Sequence, residues 1–308
     1  MSAATSRNSG AIPELRAVAI IPARLASQRL PRKMLLDRTG RPLFVHTAQN
    51  VAACGAFARV VVATDSTEIL AAAAAHGVEA RMTRADHPSG TDRVNECYTA
   101  LHAEGERAAI VVNVQGDEPD LSPLDLARLV AAFDDRTVEF ATLAAPLATT
   151  TASEALLFAS PSVVKVVCDA RGDALYFSRA PIPALGHAAA AGEAEIARRH
   201  VGVYAFTPNA LARFCTLPRG VLEQRESLEQ LRWLEHGGKL RVIAAARAPQ
   251  GIDTWCDYEE FVLRTRANSQ REQASSQRES DSTKHDKLKR MDERNDSERG
   301  SLERAGTE

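Results

Sequence analysis

Excess charge of either sign is missing: 38 lysines and arginines meet 40 aspartates and glutamates, for a formal charge of −2. Broad binding to nucleic acid or to a membrane surface wants an excess of positive charge, so any basic site must be local. Cysteine is scarce. Cys54, Cys97, Cys168, Cys215 and Cys256 form no CxxC pair and are odd in number. That excludes a disulfide framework or a zinc site and leaves thiols buried in a reducing compartment. No run approaches the roughly 20 apolar residues that span a bilayer. The opening MSAATSRNSGAIPELR lacks the apolar stretch of a signal peptide, so a cytoplasmic protein is expected. There is no internal repeat, no GxxxxGK[ST] and no GxGxxG. Nor is there a Ser-His-Asp or Cys-His arrangement that asks for a covalent intermediate.

What is present divides into three parts by composition. Residues 1–14 form a polar leader, 15–264 alternate apolar strands with helical patterns, and 265–308 mix acids and bases finely. The third part has few large apolar residues and is expected to be disordered, because too little surface can be buried to offset ordering entropy. It reads as a partner-binding tail or as a dispensable solvated extension. In the middle part strands fit 17–22, 59–64, 78–82, 109–114, 139–144, 163–168, 174–177, 201–206 and 240–245. Helices fit 43–53, 66–76, 91–103, 123–133, 208–215, 225–236 and 257–264, the second capped by Asp65 with Glu68 reaching back. RVVVAT and AAIVVNVQ are almost wholly apolar, as central parallel strands covered on both faces are. The alternation predicts an α/β fold with a mostly parallel, doubly wound sheet. VVKVVCDARGDALYFSRAPIP reads instead as an inserted antiparallel hairpin around Asp169–Asp173.

Ligands of such sheets bind beyond the carboxyl ends of the strands. There the first strand, AVAIIPARLASQRLPRKML, empties into Arg24, Arg29, Arg32 and Lys33. Arginine forks and a lysine ammonium can converge on a polyphosphate; a solvated turn is the other reading. VVNVQGDEPDLSP places Asp117 and Glu118 after the most apolar strand, and QGIDTWCDYEEF places Asp253 after another. Carboxylates beside phosphate-binding cations are natural Mg²⁺ ligands, while each aspartate is equally placed to cap the helix that follows. Trp233 reads as core.

The ordered segments IPARLASQRLPRKML, LFVHTAQ, VVATD, MTRADHPSGTDR, VNVQGDEP, VKVVCDARGDALYFSRAPIP, RHVGVYAF, LEQLRWLE and GIDT resemble the 3-deoxy-manno-octulosonate cytidylyltransferases (CMP-Kdo synthetases) over residues 17–264. The resemblance implies transfer of CMP from CTP to 3-deoxy-manno-octulosonate (Kdo), giving CMP-Kdo and pyrophosphate for lipopolysaccharide biosynthesis. It further implies Mg²⁺ as cofactor, a small lobe for sugar and dimerisation, and a homodimer. It assigns Arg24, Ser27, Arg29 and Lys33 to the triphosphate, and Arg84, Ser89, Gly90 and Thr91 to base and ribose. Gln115 joins the nucleotide side, and Asp117 and Asp253 hold the metal. Arg179, His200, Tyr204, Glu229 and Gln230 fall to the sugar. Arg24, Lys33, Asp117 and Asp253 are the expected catalytic set. On the residues alone, Gln115 also reads as satisfying backbone groups, and His200 as structural. Arg32 stands where the family usually has glycine, either perturbing a close phosphate approach or adding a cation. The rivals are a sialate-type nucleotidyltransferase and a nucleotide-binding regulator without catalysis.

Overall fold

A computed structural model of the chain describes residues 16–27, 29–148, 151–184 and 198–271. The leader at 1–14 and the tail beyond 271 lie outside the described residues. By internal contacts the chain forms two units, Met1–Thr254 and Trp255–Glu308.

The first unit is built on a nine-stranded sheet. Its spine runs β3 (Ala80–Met82), β2 (Arg59–Thr64), β1 (Ala17–Ala23), β4 (Ile110–Asn113), β8 (Arg198–Phe206), β5 (Phe140–Pro146) and β9 (Arg241–Ala244). β1 pairs in parallel with β2 and β4, β2 with β3, and β5 with β9; β8 is antiparallel to β4 and β5. Only β8 therefore opposes the common direction of this spine. The predicted hairpin is present as β6 (Lys165–Cys168) and β7 (Ala174–Ser178), joined to the sheet through β6 and β8.

Both faces are covered, which explains the unbroken apolar strands. Odd residues of β1 (Ala17, Ala19, Ile21) pack with α1 (Leu43–Ala53), α2 (Thr67–Ala75) and α4 (Pro123–Ala131). Even residues (Val18, Ile20) pack with α3 (Gly90–Ala103), α6 (Pro208–Thr216) and α8 (Gln230–Glu235). A period-2 strand can supply both layers only if both faces are apolar.

Several expectations are corrected. Ser66, not Asp65, caps α2: its Oγ accepts from the Ile69 amide at 3.3 Å. Asp65 instead pairs with Arg93 at 3.2 Å. The helix expected at 225–236 is two helices, α7 (Val221–Glu226) and α8, because Ser227 turns left-handed at φ 52°. α5 (Ala152–Ala159), closed by a Thr151–Glu154 capping box, was not anticipated. In the second unit helix 255–271 begins earlier and runs longer than the 257–264 expected, with Trp255, Tyr258 and Phe261 rings in sequence contact.

Candidate active site

Four loops meet beyond the carboxyl ends of β1 and β4. The basic loop leaves β1 and tightens into a 3-10 turn at Lys33–Leu35. Its N-terminal residue, Arg32, sits at φ 55°, a conformation that costs a residue with a Cβ about 1–2 kcal/mol. Glycine avoids that cost. The Arg32 guanidinium turns away to Glu68 and does not line the cavity.

The turn drives Lys33 inward, where it is 7 % exposed. Its Nζ donates to Asp117 Oδ2 at 2.5 Å and to Asp253 Oδ1 at 3.1 Å. Arg29 Nη2 adds a second cation on Asp253 at 2.9 Å. The loops are also tied through backbone: the Ile252 amide donates to the Asp117 carbonyl at 3.1 Å. Thr47 Oγ1 donates to the Gly116 carbonyl at 2.9 Å. A Cβ on Gly116 would come within 3.0 Å of Met34 Sδ and 3.3 Å of the Pro22 carbonyl oxygen, so glycine lets the acidic loop lie against the basic one. Ser122, not Asp117, caps α4, leaving the Asp117 carboxylate to this site. Glu118 stands behind it; burial, then the neighbouring Asp117 charge, pushes its carboxyl up to about 8.

These groups line a cavity of about 750 Å³, together with Arg24, Ser27 and the start of α3 at Ser89 and Gly90. Ser89 caps that 14-residue helix, whose N-terminal dipole favours an anion. Among the described residues no cluster of three His, Cys, Asp or Glu is built to cage a metal. Two converging carboxylates suit Mg²⁺ nonetheless, because that ion keeps waters and substrate phosphates in its shell.

Pro88, Ser89, Gly90 and Gln115 also line a second cavity of about 540 Å³, walled by Tyr204, Arg219, Glu223, Glu229 and Gln230. Tyr204 Oη donates to Gln230 Oε1 at 2.9 Å. Gln230 Nε2 and Glu229 Oε2 are buried and have no hydrogen-bond partner. An unused donor on one residue and an unused acceptor on the next suit the hydroxyls of a ligand, since leaving either unmade is costly. Burial raises the Glu229 carboxyl, against the hydroxyls of Thr91 and Ser89.

Arg24, Ser27, Arg29, Lys33, Ser89, Gly90, Gln115, Asp117 and Asp253 thus line the first cavity; Tyr204, Glu229 and Gln230 line the second. Four expected residues stand off both walls. Arg84 pairs with Glu96 (Nε to Oε2, 3.2 Å) at a separate depression. Thr91 is fully buried and donates to Glu229 Oε1 at 2.7 Å. Arg179 spends its guanidinium on the carbonyls of Glu226, Pro161 and Ser227. His200 Nε2 lies 2.9 Å from Thr142 Oγ1 with its ring edge-on to Phe177, and burial lowers its pKa to about 3, so it carries no charge for a carboxylate. Sequence reasoning missed Arg219, an isolated charge in a loop with nothing periodic to flag it. It also missed Asn113, whose Nδ2 donates to Thr91 Oγ1 at 3.0 Å behind the second cavity, and whose one signal was an amide ending an otherwise apolar strand.

A family model described as cytidylyltransferase matches residues 18–241. A "3-deoxy-manno-octulosonate cytidylyltransferase" of Nitratidesulfovibrio vulgaris (strain DP4) is 47% identical over 249 residues, 81% of this chain and 96% of the relative. One of the same name from Leptothrix cholodnii is 48% identical over 259 residues, 80% of this chain and 90% of the relative. A solved CMP:2-keto-3-deoxy-manno-octonic acid synthetase complexed with CTP superposes with a TM-score of 0.74 at 40% identity, covering 82% of this chain and 99% of that one. The two-cavity site therefore sits on a chain that belongs to the 3-deoxy-manno-octulosonate cytidylyltransferases, within the cytidylyltransferase family.

Proposed function

We propose that this nucleotidyltransferase joins CTP to Kdo, releasing pyrophosphate and forming CMP-Kdo, the activated sugar for lipopolysaccharide. The observation that carries the reading is the Lys33 ammonium held by Asp117 and Asp253 at the wall of the larger cavity, next to a second cavity with unpaired polyol-type groups. The names of the relatives and the CTP complex of the structural neighbour agree with it.

In this mechanism Arg24, Arg29 and Lys33 bind the triphosphate and neutralise its charge. The α3 N-terminus at Ser89 and Gly90 adds two orienting groups. Gln230 donates to a sugar oxygen, Glu229 accepts from a sugar hydroxyl, and Arg219 meets the sugar carboxylate. The anomeric hydroxyl, held toward the first cavity, attacks the α-phosphorus. The bond from the α-phosphorus to the bridging oxygen of the β-phosphate breaks, pyrophosphate leaves with that oxygen, and the hydroxyl proton passes to water. No covalent enzyme intermediate is needed; rate comes from positioning and preorganised charge. Asp117 and Asp253 are the residues that would hold Mg²⁺, which supplies Lewis-acid polarisation of phosphate oxygens when bound. A homodimer working in the cytoplasm completes the proposal.

Pyrophosphate release with CTP, ATP, GTP or UTP, each with Kdo, sialate or no sugar acid, tests this reading. Release confined to CTP with Kdo is expected. Release with sialate alone would move the chain to the sialate-type enzymes, and no release in any combination would leave a nucleotide-binding regulator.

A further inference from the structure

Behind the wall between the two cavities runs an unbroken chain of side-chain hydrogen bonds. Gln115 Nε2 donates to Asn113 Oδ1 at 3.3 Å. Asn113 Nδ2 donates to Thr91 Oγ1 at 3.0 Å, and Thr91 Oγ1 donates to Glu229 Oε1 at 2.7 Å. Asn113 and Thr91 are both 0 % exposed, and neither lines either of the two cavities. The two ends do line cavities: Gln115 borders both, and Glu229 belongs to the second.

With Glu229 ionised, the direction of this chain is fixed by proton count. A hydroxyl has one proton, and Thr91 gives it to the carboxylate, so its lone pair must accept. Asn113 therefore turns its amino group to Thr91 and its carbonyl to Gln115. Gln115 in turn spends an N–H on Asn113 and keeps Oε1 as its remaining acceptor. At the other end, engagement of Glu229 Oε1 leaves Oε2 buried and unpartnered. In a low-dielectric interior such a chain is strong when complete and costly when broken.

We propose that Asn113 and Thr91 are positioning residues that hold Glu229 and Gln115 in one register, setting the sugar-side acceptor against the nucleotide side. Neither touches substrate. β4 contributes Asn113 as its last residue, the N-terminus of α3 contributes Thr91, and the α7–α8 junction contributes Glu229. One buried amide and one buried hydroxyl so align three elements from separate parts of the chain.

The inference rests on the reading of the second cavity as the sugar subsite, and it is tested with the full chain by KM for each substrate in the pyrophosphate-release assay. Thr91→Val keeps the shape and removes the proton and the lone pair. The sugar-acid KM is expected to rise about 10- to 100-fold, the loss of one hydrogen bond to a charged group. The CTP KM should move far less, and Thr91→Ser should stay near wild type. Asn113→Asp, which offers Thr91 an acceptor in place of a donor, should raise the same KM. The double variant should be no worse than the worse single. An unmoved sugar KM in a folded Thr91→Val variant, equal rises in both KM values, or additive effects in the double variant each overturn the positioning role. If Asn113→Asp fails to fold, Thr91→Val and Thr91→Ser alone decide. A wild-type chain inactive with Kdo would sink the functional reading, whereas an active wild type with an unmoved Thr91→Val sinks only this inference.

Discussion

At the scale of single residues the candidate site is built on one buried ammonium with two acidic partners. Lys33 is shielded by its position under the 3-10 turn, and Asp117 and Asp253 reach it from loops far apart in sequence. Asp117→Asn keeps the volume and removes the charge; kcat should fall about 10²–10³-fold with little change in melting temperature. A near-normal rate at saturating Mg²⁺ would contradict the role given to Asp117. Arg32 offers a second residue-scale test. Its left-handed backbone means Arg32→Gly should be less destabilising than Arg32→Ala, the reverse of ordinary propensity. The alanine variant keeps the backbone cost and loses the exposed Glu68 pair, whereas the glycine variant is relieved of that cost. Denaturant titration of both variants checks the order; an alanine variant more stable than the glycine one would contradict it. These residues were partly legible in sequence. Charge type and strand-end placement pointed to Lys33, Asp117 and Asp253. The fate of Arg32 was not legible, because nothing local says that its side chain pairs with a glutamate on α2.

At the scale of elements the pairing of β5 with β8 keeps His200 off both cavity walls and gives it a structural task. Thr142 on β5 meets His200 on β8, and Phe177 of the hairpin covers the ring. Burial lowers the pKa of His200 to about 3, and burial, then the Arg41 charge, lowers that of His46 to about 4. An imidazole that titrates near 6.5 when unfolded then binds more protons in the unfolded state between that value and its folded pKa. Stability is therefore full above pH 6.5 and is lost as pH falls toward the folded values. Unfolding free energy measured from pH 7 to 5 should decline, and His200→Gln, which retains a partner for Thr142 but cannot titrate, should flatten the slope by about 1 kcal/mol per pH unit. An unchanged slope would contradict a buried neutral imidazole. Element type was readable from period and composition: β1 and β2 are near-continuous apolar runs, and the hairpin announces itself at Asp169–Asp173. The break between α7 and α8 was not readable. Residues 221–235 are helix-favouring apart from Gly220 before them, and only the left-handed turn at Ser227 separates the two helices. That turn places Glu229 and Gln230 at the second cavity.

At the scale of the whole molecule the sheet brings widely separated loops to one edge. Cations leave β1, acids leave β4 and follow β9, and the groups lining the second cavity come from β8 and the α7–α8 junction. The order of strands along the spine was not readable, since an antiparallel β8 between β4 and β5 has no local signature. About four fifths of this chain matches 96% of the length of the Nitratidesulfovibrio relative. A chain ending at residue 271 should then keep kcat and both KM values, and melt within about 2 °C of the full protein; loss of either would show that later residues contribute. The most direct test of the central claim is a crystal structure of the chain with CTP and Mg²⁺. The account predicts the triphosphate in the 750 Å³ cavity, on Arg24, Arg29 and Lys33, with one Mg²⁺ shared by Asp117 and Asp253. A nucleotide bound elsewhere, or a metal that leaves both aspartates on Lys33, would contradict it.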